Sequence, residues 1–167
     1  CIRDRCNRVE REHSITVEPY RAHHRIGCLA LYDLWSSQKR SQECHGHDSL
    51  GRLLLEDAEG AHRLVLTEPE RIGLSGAVVL MQGRIVAYTF GYWLTPRVWC
   101  VQLEIADRSV SGLAQWLFRE TCRTAVNSGA TMINAMDDAG LSGLREAKRA
   151  YHPTMLIENW AMMGIHT

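Results

Sequence analysis

The stretch Ile133–Ile157 reads INAMDDAGLSGLREAKRAYHPTMLI, and it decides the fold prediction. Its first residues, INAM, have a strand-like pattern and lead into two adjacent acids, Asp137 and Asp138. We predict a basic helix next, which ends before Pro153 because the residue before a proline disfavours helix. The apolar run TMLI then predicts a final strand from Thr154 to about Met162. Strand, acidic corner, basic helix and strand therefore form one compact unit with many polar groups near its turns.

The centre of the chain carries the clearest strand signal. Gly76–Gln82 (GAVVLMQ) and Arg84–Leu94 (RIVAYTFGYWL) flank Gly83, and two β-rich runs around one tight turn predict a hairpin. Both runs are apolar at consecutive positions, so we expect both faces of this hairpin to be covered. Val98–Ala106 (VWCVQLEIA) predicts a third strand beside it.

The remaining segments alternate between helix and strand patterns. Ser14–Glu18 is a short strand candidate, and helical spacing predicts a helix from Tyr20 to about Arg40. A second helix follows, for which we predict a break near Gly60. Another helix ends near Asn127, before a strand at Thr131–Met136. The order β α α β β β α β α β indicates an α+β domain with a mixed central sheet flanked by helices.

Length and charge narrow the class of protein. The 167 residues predict one domain with a real core, and the net charge of zero argues against general DNA binding. Residues 1–13 are polar and arginine-rich, so we expect a solvated arm there and the folded domain at 14–167. No stretch predicts a transmembrane segment, and six scattered cysteines favour reduced thiols in a cytoplasmic protein.

Several motifs resemble one family. They are LEIAD, GLAQWL, LIENW and the long run D-x-G-x-x-G-L-R-x-A-K-x-x-Y-x-P from Asp138 to Pro153. These motifs resemble the GNAT-like family of the phosphatidylglycerol lysyltransferase C-terminal domain. The resemblance implies the GNAT (acyl-CoA N-acyltransferase-like) fold. Members of this family often carry two such halves, and this chain would correspond to the C-terminal half.

The resemblance also implies a reaction, the transfer of an acyl or aminoacyl group to an amine or hydroxyl acceptor. The donor would be aminoacyl-tRNA or acyl-CoA, used as a co-substrate, and no permanently bound cofactor is implied. The acceptor would be a small molecule, a peptide or a lipid headgroup, and tRNA is a possible partner. The alternative is a non-catalytic binding module that retains the fold. A pocket filled by Trp99 or Trp116 would favour that alternative, whereas an open cleft would favour an enzyme.

The resemblance places the donor-binding loop directly after the predicted strand Val98–Ala106. Its four candidate residues are Arg108, Ser109, Ser111 and Gly112. In a GNAT fold this loop holds the donor pyrophosphate, because a helix N-terminus offers unpaired N–H donors. The usual pattern is Q/R-x-x-G-x-G/A, whereas this chain reads RSVSGLA, with one glycine in a shifted place. This departure is compatible with aminoacyl-tRNA as the donor.

Two residues are candidates for catalysis. Glu104 is a carboxylate inside an apolar strand, where desolvation would make it a better base, with backbone N–H groups near Val101–Ile105 holding the oxyanion. The alternative is a structural glutamate that is ion-paired or faces an edge. The resemblance implies that Tyr151 protonates the leaving group, although a core aromatic at the helix end is the other interpretation.

The long motif supplies four candidates for substrate binding. Asp137 and Asp138 would recognise a cationic amino group such as a lysyl moiety, or one of them would simply cap the next helix. Arg145 and Lys148 would bind a phosphate of CoA, tRNA or lipid, or would form a solvated basic face. The sequence Cys-His-x-His at 44–47 is too tight for a usual zinc site, so no metal is expected.

Overall fold

The computed structural model describes residues 1–43 and 49–158 of the chain. Two compact units are present, Cys1–Asn134 and Ala135–Thr167. The helices and strands of the first unit are α1 (Ile2–Glu12), β1 (Ile15–Pro19), a short 3-10 turn (Ala22–His24), α2 (Arg25–Glu43), α3 (Ser49–Thr67), β2 (Ser75–Met81), β3 (Arg84–Thr95), β4 (Val98–Ala106), α4 (Leu113–Asn127) and β5 (Met132–Asn134). The second unit contains α5 (Ser142–Arg149).

The sheet of the first unit has the order β1-β2-β3-β4-β5. Neighbouring strands from β1 to β4 run antiparallel, and β5 runs parallel to β4, so the mixed central sheet is confirmed. The predicted hairpin is β2–β3. Its two turn residues have positive φ angles, 52° for Gln82 and 75° for Gly83, as a tight hairpin turn of type I′ requires.

Helices cover both faces of the sheet, as the apolar hairpin predicted. On one face α1 and α4 pack against β2 and β3 through a cluster that includes Cys6, Val9, Val79, Ala87, Leu113 and Leu117. On the other face α2 and α3 pack against the same strands through Tyr32, Leu66, Val78, Tyr88 and Phe90. Alternate residues of β2 point to opposite faces, which is why Val78 and Val79 belong to different clusters.

Two expectations for the first unit are wrong. Residues 2–12 form helix α1 instead of a solvated arm, and Cys6 and Val9 are buried against α4. Helix α3 also continues through Gly60 without a break. This glycine is exposed with open space around it, and a single exposed glycine costs a helix only about 1 kcal/mol.

The second unit differs from the prediction at its C-terminal side. Residues 154–158 do not form a strand, and the side chains of Met155, Leu156 and Ile157 are exposed. A strand needs a neighbour to pair with, and no strand lies within the described residues of this unit. The rest of the predicted strand, and the Cys-His-x-His sequence at 44–47, lie outside the described residues.

Two further observations concern the described chain. None of its helices is long and apolar enough to cross a membrane. Its five described cysteines are free thiols, namely Cys1, Cys6, Cys28, Cys100 and Cys122.

Candidate functional site

Strand β4 has a partly free edge. It pairs with β3 along its length, but with β5 only through Val98, Trp99 and Cys100. From 101 to 106 this second edge has no strand partner in the described part of the chain. The Asp107 N–H donates to the Val86 carbonyl at 2.8 Å. Because backbone groups alternate along an antiparallel strand, those of Glu104 and Ala106 therefore point to the free edge.

A cleft of about 410 Å³ opens beside this strand. Its wall contains residues of α1, α2, β4, the loop after β4 and the first turns of α4, namely Arg5, Trp35, Lys39, Glu104, Ala106, Asp107, Arg108, Val110, Ser111, Gly112, Ala114, Gln115 and Leu117. Four of the predicted site residues, Glu104, Arg108, Ser111 and Gly112, are thereby brought together. Trp99 and Trp116 do not line the cleft.

The Glu104 carboxylate lies beside two threonine hydroxyls. Thr89, its cross-strand partner on β3, donates to the Glu104 Oε1 atom at 3.3 Å. The Thr121 hydroxyl on α4 also lies 3.3 Å from this atom, but its single proton has a closer acceptor, the Leu117 carbonyl oxygen at 2.9 Å. The side chain is half-buried at the cleft wall. These contacts fix the direction of the carboxylate while it remains within reach of the cleft, which is the arrangement that a general base needs.

The loop after β4 is organised around the buried carboxylate of Asp107. Its Oδ1 atom accepts from the Ser109 N–H at 2.9 Å and from the Ser109 hydroxyl at 2.6 Å, while Arg84 lies 3.0 Å from Oδ2. Burial alone would raise the pKa of Asp107, but the bonds from Ser109 and Arg84 outweigh it and hold the pKa below its usual value. Ser109 therefore faces Asp107 and does not line the cleft.

Helix α4 directs its first turn into the cleft. The N–H groups of Ala114 and Gln115 lie in that turn, where no preceding helical carbonyl is available to them. Gly112 precedes the helix with a φ of 90°, and a Cβ atom there would lie 2.9 Å from the Arg5 carbonyl oxygen. A glycine is thus required at this position for α1 to approach the loop as closely as it does.

In the second unit, the acids of the long motif shape a turn. The Ala139 N–H donates to Asp137 Oδ1 at 3.1 Å, and the Gly140 N–H donates to Asp138 Oδ1 at 2.9 Å. Each is a bond from a side chain to the backbone two residues on, the geometry of an Asx turn. Neither acid caps α5, whose N-cap is Leu141.

The basic side chains of the same motif form hydrogen bonds to other residues of this unit. Arg145 Nε donates to Asp138 Oδ2 at 2.7 Å, and this hydrogen bond lowers the pKa of Asp138. Lys148 Nζ donates to the carbonyl oxygens of Ala135 and Asp137. Tyr151 is half-buried just after α5. The four predicted ligands therefore form two pairs, Asp138 with Arg145 and the Asp137 carbonyl oxygen with Lys148.

Sequence reasoning missed part of the cleft. Arg5 and Lys39 were not singled out, because they lie on helices far from the loop in sequence. Asp107 was visible only as the last residue of the LEIAD motif. Among these missed residues, only Asp107 therefore had a local sequence signal.

Comparison with known proteins places the chain in a family. The sequence profile of the family described as "Phosphatidylglycerol lysyltransferase, C-terminal" matches residues 1–162. The chain belongs to this family. No curated protein matches the chain.

Solved structures support the GNAT fold of this lysyltransferase C-terminal family member. A conserved protein of unknown function from Bacteroides thetaiotaomicron is 25% identical with a TM-score of 0.68, and the match covers 93% of this chain and 50% of that one. An aminoglycoside acetyltransferase from an uncultured soil metagenomic sample, solved with sisomicin, is 12% identical with a TM-score of 0.56, covering 92% and 97%. A ribosomal-protein-alanine N-acetyltransferase from Brucella melitensis is 10% identical with a TM-score of 0.55, covering 92% and 99%. This family member thus spans half the length of the Bacteroides protein.

A separate polar cluster of this family member joins β1 to the 3-10 turn. Ligand atoms of Glu18, His23 and His24 lie within 4.8 Å of one another. The Arg21 N–H donates to His24 Nδ1 at 3.0 Å, so the proton of a neutral imidazole resides on Nε2, which lies 3.4 Å from Glu18 Oε2. His24 is buried, and both its ring nitrogens are already engaged.

Proposed function

We propose that this chain transfers an acyl or aminoacyl group to an amine or hydroxyl acceptor. A family named for a lysyltransferase and a fold shared with acetyltransferases support a transferase in general. The observation that carries the proposal is the cleft itself. It brings together an oriented carboxylate, a free strand edge and the first turn of a helix, which are the groups that acyl transfer needs.

In the proposed mechanism, the donor carbonyl lies at the free edge of β4. The backbone N–H groups of Glu104 and Ala106 stabilise the oxyanion that develops when the acceptor attacks. The acceptor nitrogen or oxygen forms a bond to the carbonyl carbon, and its proton passes to the Glu104 carboxylate. The bond from that carbon to the donor sulfur or oxygen breaks, and the leaving atom takes a proton. From the family resemblance alone, Tyr151 is our candidate for this acid.

Donor binding is proposed for the loop and for the motif of the second unit. Arg108, Ser111 and Gly112 line the cleft beside the first turn of α4, where phosphate oxygens would accept from backbone N–H groups. Asp137 remains a candidate for an amino group. Because Asp138 pairs with Arg145, we propose that these two act as a unit that shapes the turn, in place of two independent ligands.

The finer identity of the substrates is part of the proposal. The donor is aminoacyl-tRNA or acyl-CoA, and the acceptor is a small molecule, a peptide or a lipid headgroup. We place the reaction in the cytoplasm, in keeping with the free thiols of the described cysteines. We also propose that the chain is the C-terminal half of a two-half protein, since it spans half of the Bacteroides structure.

A binding module without catalysis is the second candidate. The single glycine of the RSVSGLA loop favours it, because the loop departs from the usual donor-binding pattern. Trp99 and Trp116, the side chains that would fill a lost site, do not line the cleft. We therefore prefer the enzyme.

The test is a single-turnover transfer assay of the Glu104→Gln variant with acetyl-CoA and with aminoacyl-tRNA as donors. The glutamine carbonyl still accepts from Thr89, so the melting temperature should stay nearly unchanged, whereas loss of a general base should slow transfer by about 100-fold. Glu70→Gln, an exposed glutamate outside the cleft, is the matched control. Equal rates for Glu104→Gln and the wild type would refute the role of Glu104.

A further inference from the structure

Three cations from three separate elements meet in the cleft. Arg5 comes from α1, Lys39 from α2 and Arg108 from the loop after β4. Only Arg108 belongs to the loop that the sequence predicted to bind the donor. Within the described ranges 1–43 and 49–158, no ion pair engages any of the three cations. Their charges are therefore not neutralised by a salt bridge within those ranges.

The acids of the cleft do not balance these charges. Asp107 is paired with Arg84, which does not line the cleft, and its carboxylate also accepts from Ser109. Glu104 contributes one negative charge against the three cations. The cleft thus has an excess of positive charge, and such a wall attracts anions.

Local packing positions Arg5 and Lys39. The Arg5 backbone lies directly against Gly112, so α1 is held at the loop and its position follows the loop. Lys39 Nζ lies 5.8 Å from the centre of the Trp35 ring, a cation–π distance that keeps the ammonium near the cleft wall. The two cations therefore approach the cleft from outside the loop, on elements packed against the two opposite faces of the sheet.

We propose that Arg5 and Lys39 bind phosphate groups of the donor together with Arg108. Guanidinium and ammonium groups both bind phosphate oxygens, and the first turn of α4 adds N–H donors on the same wall. This inference rests on the proposed acyl transfer. It identifies the ligand as a phosphate-bearing adenine nucleotide, the chemistry shared by CoA and by the 3′ end of tRNA. Helix α1 becomes part of the donor site.

The experiment measures the affinity of three probes by isothermal titration. CoA and a 5′-phosphorylated CCA trinucleotide represent the two sources of the nucleotide, and adenosine is the probe without phosphate. We expect Arg5→Gln and Lys39→Gln each to weaken binding of the preferred phosphate probe by roughly 5- to 10-fold. Adenosine binding should not change, and the preferred probe tells which source the site accepts.

Two matched variants control for general charge effects. Arg3→Gln lies on α1 and Arg25→Gln on α2, and neither residue lines the cleft. Both should bind the probes like the wild type. Equal affinities for Arg5→Gln, Lys39→Gln and the wild type would overturn the inference, as would failure of the wild type to bind either phosphate probe.

The experiment distinguishes a failure of this inference from a failure of the proposed transfer reaction. Glu104→Gln should bind the phosphate probes at least as tightly as the wild type, because it removes a negative charge from the cleft, while it loses transfer. Normal transfer with unaltered binding in the Arg5 and Lys39 variants would overturn only the inference about these residues. Loss of binding in those variants, together with a wild type that transfers from neither donor, would support the phosphate site and overturn the proposed function.

Discussion

Acid should destabilise this protein through His62, a buried histidine of α3 that contacts β3. Its side chain is almost fully buried, and its Nδ1 atom lies 2.9 Å from the Tyr88 hydroxyl. Burial lowers the pKa of His62 to about 4. The folded protein therefore keeps this imidazole neutral at pH values where an unfolded chain would already have protonated it.

The magnitude follows from the two pKa values. An exposed histidine titrates near 6.5, so between pH 6.5 and 4 the unfolded chain binds more protons at this site than the folded chain does. The contribution of His62 is fully present above pH 6.5 and is lost as the pH falls towards 4. A difference of two to three pKa units corresponds to about 3 kcal/mol, with a slope of at most about 1.4 kcal/mol per pH unit. That is a large part of the roughly 5–15 kcal/mol that stabilises a typical domain.

The assay is urea unfolding, followed by tryptophan fluorescence, at pH values from 7.5 to 4.5. The His62→Gln variant keeps a polar partner for Tyr88 but does not titrate, so its free energy of unfolding should fall less steeply than that of the wild type. Tyr88→Phe removes the hydrogen bond and keeps the imidazole. Since burial is the cause of the lowered pKa, Tyr88→Phe should retain the pH dependence of the wild type.

Two results would refute this reasoning. The first is an identical pH dependence for His62→Gln and the wild type, because carboxylates would then account for all of the acid sensitivity. The second is loss of the pH dependence in Tyr88→Phe, because the hydrogen bond, and not burial, would then control the titration of His62.

Two further perturbations test the loop after β4. Gly112→Ala should destabilise by about 1–3 kcal/mol in urea unfolding, because its φ is 90° and its Cβ would press on Arg5. Gly129 has a φ of 104° and open space around it, so Gly129→Ala measures the cost of backbone strain alone. An equal loss of unfolding free energy in the two variants would contradict the contact between Gly112 and α1. Arg84→Gln should cost about 1 kcal/mol at pH 7, because the buried Asp107 carboxylate loses a partner. The pKa of Asp107 is lowered in the fold, so this cost should be present above about pH 4, the range of an ordinary aspartate, and should shrink as the pH falls below it. A cost that does not change with pH would argue against the ion pair.

The sequence predicted the elements that have strong local signals. The two apolar runs around Gly83 identified the hairpin, because a continuous apolar run and a tight turn are both local signals. The strand of Glu104 and the loop that follows it were also predicted as elements, and the four candidates Glu104, Arg108, Ser111 and Gly112 line one cleft. Neighbouring residues in one chain segment stay neighbours in the fold, so this part of the candidate site could be predicted from the sequence.

Helix α1 was missed although its signal was present. Ile2, Cys6 and Val9 recur at i, i+4 and i+7, the spacing of an amphipathic helix. The surrounding arginines and glutamates gave the segment the composition of a solvated arm, and composition outweighed periodicity in the prediction. Only the packing of this apolar stripe on α4 makes the segment part of the folded unit.

The wider site depends on contacts that no local pattern encodes. Arg5 and Lys39 reach the cleft because the two helices that carry them pack on opposite faces of the sheet. In the second unit, Asp138 and Arg145 were predicted as separate ligands, yet they pair with each other. Spacing along the chain shows which charges are near in sequence, but not which of them neutralise one another.

The most direct measurement of the central claim is a crystal structure of the chain with an unreactive donor analogue, either a thioether of CoA or a 3′-aminoacylamido-adenosine. The account predicts the donor carbonyl at the free edge of β4, with its oxygen about 3 Å from the backbone N–H of Glu104 or Ala106. The phosphates of the CoA analogue should lie among Arg5, Lys39 and Arg108. An analogue bound elsewhere, with only solvent in the cleft, would contradict the claim that this cleft is the transfer site.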